Sequence, residues 1–142
     1  MIELAVRRAA LLRALGAKRF EPWFATAAHP IDRAIRLALT THHVSVEALR
    51  QELETKRGIG RRAFESWRHE RQIPAVDKLD VVASAIADLA RLPPRARKRD
   101  HLAAMLRCAR VAKLARRRLI ASLGDDGEMV LRDAFSGHDR LC

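Results

Sequence analysis

The sequence predicts an all-α protein, and three observations carry that prediction. Apolar residues recur at i, i+3 and i+4 along most of the 142-residue chain, which is the spacing that lines one face of a helix. No stretch sustains the period-two alternation with β-branched enrichment that a half-buried strand needs. Glycine and proline fall between the periodic stretches, at Gly16, Pro30, Gly58, Gly60, Pro74, Pro93, Pro94 and Gly124, where they start and stop helices. About six helices are expected.

Ile2, Ala5, Val6, Ala9, Leu12 and Leu15 give the first helix, over residues 2 to 15, stopped by Gly16. Glu3, Arg7, Arg8 and Arg13 interrupt its apolar residues, so it reads as a mature amphipathic helix rather than a signal. Phe20 to Phe24 (FEPWF) gathers three of the six aromatics around a proline, a core plug in preference to a stacking platform. Pro30 suits a first helical position, and Ile31, Ala34, Ile35, Ala38 and Leu39 form the next buried face. Ser45 is a candidate N-cap for a helix carrying Val46, Leu49 and Leu53. After Pro74 the longest clear amphipathic helix carries Val76, Leu79, Val82, Ala83, Ile86 and Leu89. Leu92-Pro93-Pro94-Arg95 breaks it, and PPRARKR reads as a stiff basic linker at a module boundary. From Asp100 to Leu123 a long helix has an apolar stripe of Leu102, Met105, Ala109, Ala112, Leu119, Ile120 and Leu123. The tail after Gly124 is acidic, with a short helix from Glu128 to Phe135. The expected division is a helical domain over 1–92 and a basic linker, long helix and acidic tail over 93–142.

The stretch between Ser45 and Leu89 bears most on function. In GIGRRAFESWRHERQIP, Gly58 and Gly60 bracket Ile59, and Phe64 and Trp67 then fall on one face of a helix with Arg61, Arg62, Glu65 and Arg68 on the others. Two short amphipathic helices joined by a glycine turn, followed by a third, make the outline of a helix-turn-helix over about 45–72. This stretch resembles the Cro and phage-repressor (XRE) helix-turn-helix family, through Leu49 and Leu53, Gly58-Ile59-Gly60, Phe64 and Trp67, and Ile73-Pro74 followed by Leu79, Val82 and Ile86. The resemblance covers about a third of the chain. Arg50 stands where the family has a small residue, and Glu54 to Arg57 add about one helical turn before the glycine. The resemblance implies double-stranded DNA as partner and the helix after the turn as the groove reader.

The formal net charge is +11, which favours polyanions: nucleic acid first, anionic membrane second. Eleven basic residues fall between Arg91 and Leu119, with Asp100 the one acid among them. The expected nucleic-acid set is Arg61, Arg62, Arg68 and Gln72 around the recognition helix, with Arg107, Arg110, Lys113 and Arg117 contacting phosphate from the long helix. The same arginines also fit a solvated face, and the same aromatics fit the core of any bundle.

Other chemistry is thin. There are two cysteines, Cys108 and Cys142, so no disulfide framework is expected and a reducing cytoplasm, close to the nucleoid, fits. No apolar run reaches the ~20 residues of a membrane span. His42-His43 diverge at a helix end without a partner at ligand spacing, and His138 and Cys142 sit in a terminus, so no metal or other cofactor is expected. No P-loop, HExxH, GxSxG or paired CxxC is present, and an enzyme is not expected. Three readings stay open. The first is a sequence-specific DNA-binding regulator of repressor or mobile-element type, a homodimer through the long helix. The second is a non-specific or RNA-binding basic protein. The third is an interaction module, such as an anti-activator, that meets a protein partner through the apolar stripe of residues 102 to 123.

Overall fold

The computed structural model describes residues 29–69, 72–127 and 129 and, of Leu119, the backbone. Among these residues there are five helices and no strand: α1 (Pro30–Thr41), α2 (Val46–Lys56), α3 (Arg61–His69), α4 (Val76–Leu89) and α5 (Arg97–Leu123). The chain is all-α. The helix expected over residues 2 to 15, the aromatic cluster at 20–24, the tail helix (apart from Met129) and the His138/Cys142 pair lie outside the described residues.

Each helix begins where its local chemistry dictates. Pro30 occupies the first position of α1, where its missing N–H costs nothing. Ser45 caps α2 by accepting from the Ala48 N–H at 3.1 Å. α4 starts at Val76, after Pro74 and an extended Ala75 that offers no side-chain cap. The apolar faces are mostly those the spacing predicts, although Val76 is exposed and Val46 and Leu89 are only half-buried. Ile31, Ala34, Ile35, Ala38 and Leu39 of α1, Leu49 and Leu53 of α2, and Leu79, Val82, Ala83 and Ile86 of α4 are all buried. α2 packs on both α3 and α4.

Two compact units divide the chain, Ile31–Arg110 on one side and Met1–Pro30 with Val111–Cys142 on the other. Pro93-Pro94 makes a tight helix–helix connection rather than a linker between modules, because Arg99 braces it: its Nε donates to the carbonyls of Leu92 (3.2 Å) and Pro93 (2.9 Å), and its Nη2 to Leu92 O (2.6 Å) and Asp88 Oδ1 (2.7 Å). Arg99 to Asp88, Arg107 to Asp80 and Arg110 to the Pro74 carbonyl then fix the first half of α5 antiparallel to α4. Leu102, Leu106, Ala109 and Ala112 are buried within the single chain. That part of the apolar stripe is not left over for a second subunit or a partner protein.

α1 and α4 end in the same way. His43 (φ 55°) and Arg91 (φ 56°) adopt the left-handed conformation. The Val44 N–H returns to Leu39 O at 3.0 Å and the Leu92 N–H to Ala87 O at 3.0 Å, with the His43 and Arg91 N–H groups on Thr40 O and Asp88 O. These are Schellman closures, which normally use glycine, since an L side chain in that conformation costs ~1–2 kcal/mol. His43→Gly and Arg91→Gly are each expected to stabilise the protein by up to about 1 kcal/mol, the relief of strain exceeding the added freedom of the unfolded chain. Thermal unfolding checks this, and a fall in midpoint for both variants would contradict it.

Acid sensitivity follows from the same contacts. The hydrogen bond from Arg107 holds the Asp80 carboxyl below its ordinary range against a smaller opposing effect of burial, and for Asp88 the hydrogen bond from Arg99 does the same, outweighing burial, with a lesser contribution from Arg57. A carboxyl whose folded pKa lies below its unfolded value of 3.8 contributes stability that is full above that pH and is lost as pH falls through the folded pKa. Unfolding midpoints of the wild type should hold steady near neutrality and drop below about pH 4. Asp88→Asn should start lower at pH 7 and fall less steeply in acid.

Candidate nucleic-acid interface

α2 ends, and α3 begins, around one buried apolar residue. Arg57 closes α2 by donating its N–H to Leu53 O at 3.2 Å, Gly58 turns the chain at φ 66°, and Ile59 returns its N–H to the same carbonyl at 3.0 Å. A Cβ at Gly58 would meet nothing within 4 Å, so glycine is required by the backbone angle and not by space. Ile59 is buried and pins the turn to the core. Gly60 then releases the chain into α3, with the Phe64 N–H on its carbonyl.

α3 divides as the sequence predicts for its apolar residues. Phe64 is fully enclosed and Trp67 is buried, so the helix is clamped along one face. Arg61, Arg62 and His69 are exposed and Glu65 is half-buried. Neither Arg61 nor Arg62 makes an ion pair or hydrogen bond through its side chain among the described residues. The first turn of α3 therefore presents two uncommitted guanidiniums beside helix N–H groups that also favour anions.

Two ion pairs set the angle of this helix. Arg50 of α2 reaches Glu65 of α3 through Nη2 at 2.6 Å and Glu47 of its own helix through Nη1 at 2.8 Å, while its Nε is buried without a partner. Where a small residue would let α2 and α3 approach closely, this chain puts a long side chain that bonds across the gap. Arg68 is only 5% exposed. Its Nε donates to Asp32 Oδ1 of α1 at 2.6 Å, its Nη1 lies 3.7 Å from Glu65, and its guanidinium carbon sits 5.6 Å from the centre of the Phe64 ring.

Arg68 must accordingly be removed from the expected nucleic-acid set: it is enclosed, and leaving Asp32 would strand a buried charge. Gln72 is exposed, and its Oε1 accepts from the Ser66 hydroxyl at 2.6 Å, which steadies the chain as it leaves α3. Of the four residues expected along the long helix, Arg107 is engaged by both oxygens of Asp80, and Arg110 Nε donates to the Pro74 carbonyl at 2.9 Å. Lys113 is buried, and burial together with neighbouring Arg117 holds its ammonium below the ordinary lysine range. Arg117 is exposed and, like Lys113, belongs to the other unit. The stripe that looked continuous in sequence is therefore mostly structural.

A different set of cations is exposed. Arg91, Arg95 and Arg97 stand at the α4–α5 connection, in the same unit as α3, with no ion pair among the described residues. Arg97 opens α5, where the helix dipole disfavours a cation. The signal available in the sequence was this placement of basic residues at a helix start. No protein family, characterised protein or solved structure matches this chain. The functional case therefore stands on these residues and their geometry. Among the described residues no cluster of three or more His, Cys, Asp or Glu is placed to hold a metal ion, and no helix is long and apolar enough to cross a membrane.

The Asp32–Arg68 pair yields an asymmetric expectation. Asp32→Ala leaves the guanidinium buried and uncompensated and should destabilise by ~3–5 kcal/mol, whereas Arg68→Met in the Asp32→Ala background should recover most of the loss. Denaturant titration of the two variants checks it. A small loss for Asp32→Ala alone would mean the pair does not hold α3 in place.

Proposed function

We propose that the protein is a sequence-specific DNA-binding regulator in which α2, the Gly58 turn and α3 act as a helix-turn-helix, with α3 as the recognition helix. The observation that carries this reading is the division of α3: Phe64 and Trp67 locked into the core, Arg61 and Arg62 exposed and unpaired at its first turn. Side chains near the N-terminus of a recognition helix reach base edges, and arginine matches guanine or phosphate bidentately. Arg91, Arg95 and Arg97 supply phosphate contacts, the part the sequence assigned to Arg107, Arg110, Lys113 and Arg117. The overall charge of +11 supports a polyanionic partner in general.

A second reading has its own observation in favour. Most of the net charge lies between Arg91 and Arg118 rather than on α3, as suits a protein that binds nucleic acid through phosphate alone, RNA included. Base readout is what separates the two.

Duplexes selected by the protein from a random pool, with scrambled duplexes of the same composition, provide the test at two salt concentrations. Arg62→Ala should cost ~1–3 kcal/mol on the selected duplex and little on the scrambled one. Arg95→Ala should weaken both alike and reduce the salt slope by about one. Equal losses on both duplexes for Arg62→Ala would favour the phosphate-only reading. Absence of binding at physiological salt to either duplex and to a structured RNA of similar length would overturn both.

A further inference from the structure

Within the Ile31–Arg110 unit, a cleft of about 310 Å³ opens between the C-terminal half of α1 and the first turns of α5. Its apolar lining comes from Leu37, Ala38, Leu102 and Met105. Ala38 and Leu102 are buried and make its floor, while Leu37 is 46% exposed, an apolar wall that folding has left open to water. Its polar lining comes from Thr41, His42, Lys98 and His101. All four can donate a hydrogen bond, one is a cation, two are imidazoles, and no carboxylate lines the cleft. Lys98 is exposed and makes no ion pair among the described residues.

An apolar floor with several donors in the same lining is the composition of a small-molecule site, and this volume lies at the small end of the range such sites span. The donors suit an acceptor that carries negative charge, since Lys98 and the other donors line the cleft with no carboxylate among them. The floor requires a hydrocarbon or aromatic body of modest size. We propose that this cleft binds a small amphipathic monocarboxylate, with its carboxylate held by Lys98 and the His42, His101 and Thr41 donors and its apolar body on Ala38, Leu102, Met105 and Leu37. No residue of α3 lines the site, so this inference stands apart from the nucleic-acid reading.

Octanoate titrated into the full ¹⁵N-labelled chain tests it. Saturable amide shifts confined to Leu37, Thr41, Lys98, His101 and Met105 and their neighbours are expected. Octanol, which has the body without the charge, and inorganic phosphate, which has the charge without the body, should each bind at least about tenfold more weakly. Lys98→Met keeps the apolar stem at an exposed position and should weaken octanoate about tenfold while leaving octanol unchanged. Leu37→Gln should weaken octanoate and octanol together. Phosphate binding as tightly as octanoate, shifts that spread over the surface without saturating, or an unchanged octanoate affinity in Lys98→Met would each overturn the proposal.

Discussion

A guanidinium buried against a carboxylate is the constraint on which the placement of α3 depends. Arg68 has left water, and the desolvation of its charge is offset by Asp32 across a 2.6 Å hydrogen bond and by the face of Phe64. Neither partner can move far without exposing the other to an apolar interior. Since Asp32 lies in the first turn of α1 and Arg68 in the last turn of α3, the pair ties together two elements far apart in sequence. Arg50 and Glu65 tie the other side of α3 to α2. A helix of nine residues, too short to be stable alone, is thus held at a defined angle by two charged contacts and two aromatic anchors.

The same device recurs through the unit. Arg57 links the end of α2 to Asp88 at the end of α4, Asp88 also accepts from Arg99 at the start of α5, and Arg107 grips Asp80. Arginine suits this work because its planar fork meets a carboxylate with two parallel hydrogen bonds and stays charged when partly enclosed. One consequence concerns function. In so basic a chain the arginines that hold helices together are not available to a polyanion, so charge counted along the sequence overstates the charge available at the surface. Exposed cations of this unit without an ion pair among the described residues include Lys78 and Lys98 as well as Arg61 and Arg62 on α3 and Arg91, Arg95 and Arg97 at the α4–α5 connection, and these five arginines define the surface on which a nucleic-acid contact would depend.

Strain is confined to the helix ends. His43 and Arg91 hold left-handed angles that glycine would take at less cost, and each closes a helix with two backbone hydrogen bonds to carbonyls that would otherwise go unmet. His42, just before left-handed His43, and Lys98, in the first turn of α5, line a cleft that combines apolar and donor groups. The closure after α1 sets where His42 projects, and the brace of Arg99 on the Pro93 turn sets where α5 begins. Tertiary contacts thus decide the cleft's composition, although all of its residues but His42, in the turn after α1, are ordinary helix positions.

The sequence by itself determined the helices, their apolar faces and the Ser45 cap, because helical periodicity and capping are local: the information lies within a few residues. It also determined that Ile59 fills the turn and that Phe64 and Trp67 face inward. It did not determine which arginines were free. Arg68 and Arg62 sit on one short helix and look alike in the sequence, yet Asp32, thirty-six residues away, encloses one and nothing encloses the other. Arg107 and Arg110 looked like a solvated stripe until α5 was folded back along α4, where Asp80 and the Pro74 carbonyl met them. The prolines at 93 and 94 likewise read as a boundary because local rules register a helix break and not the side chain that braces it. Ion pairing across helices depends on long-range approach, so only the tertiary structure could separate the cations that build the fold from those left to meet a partner.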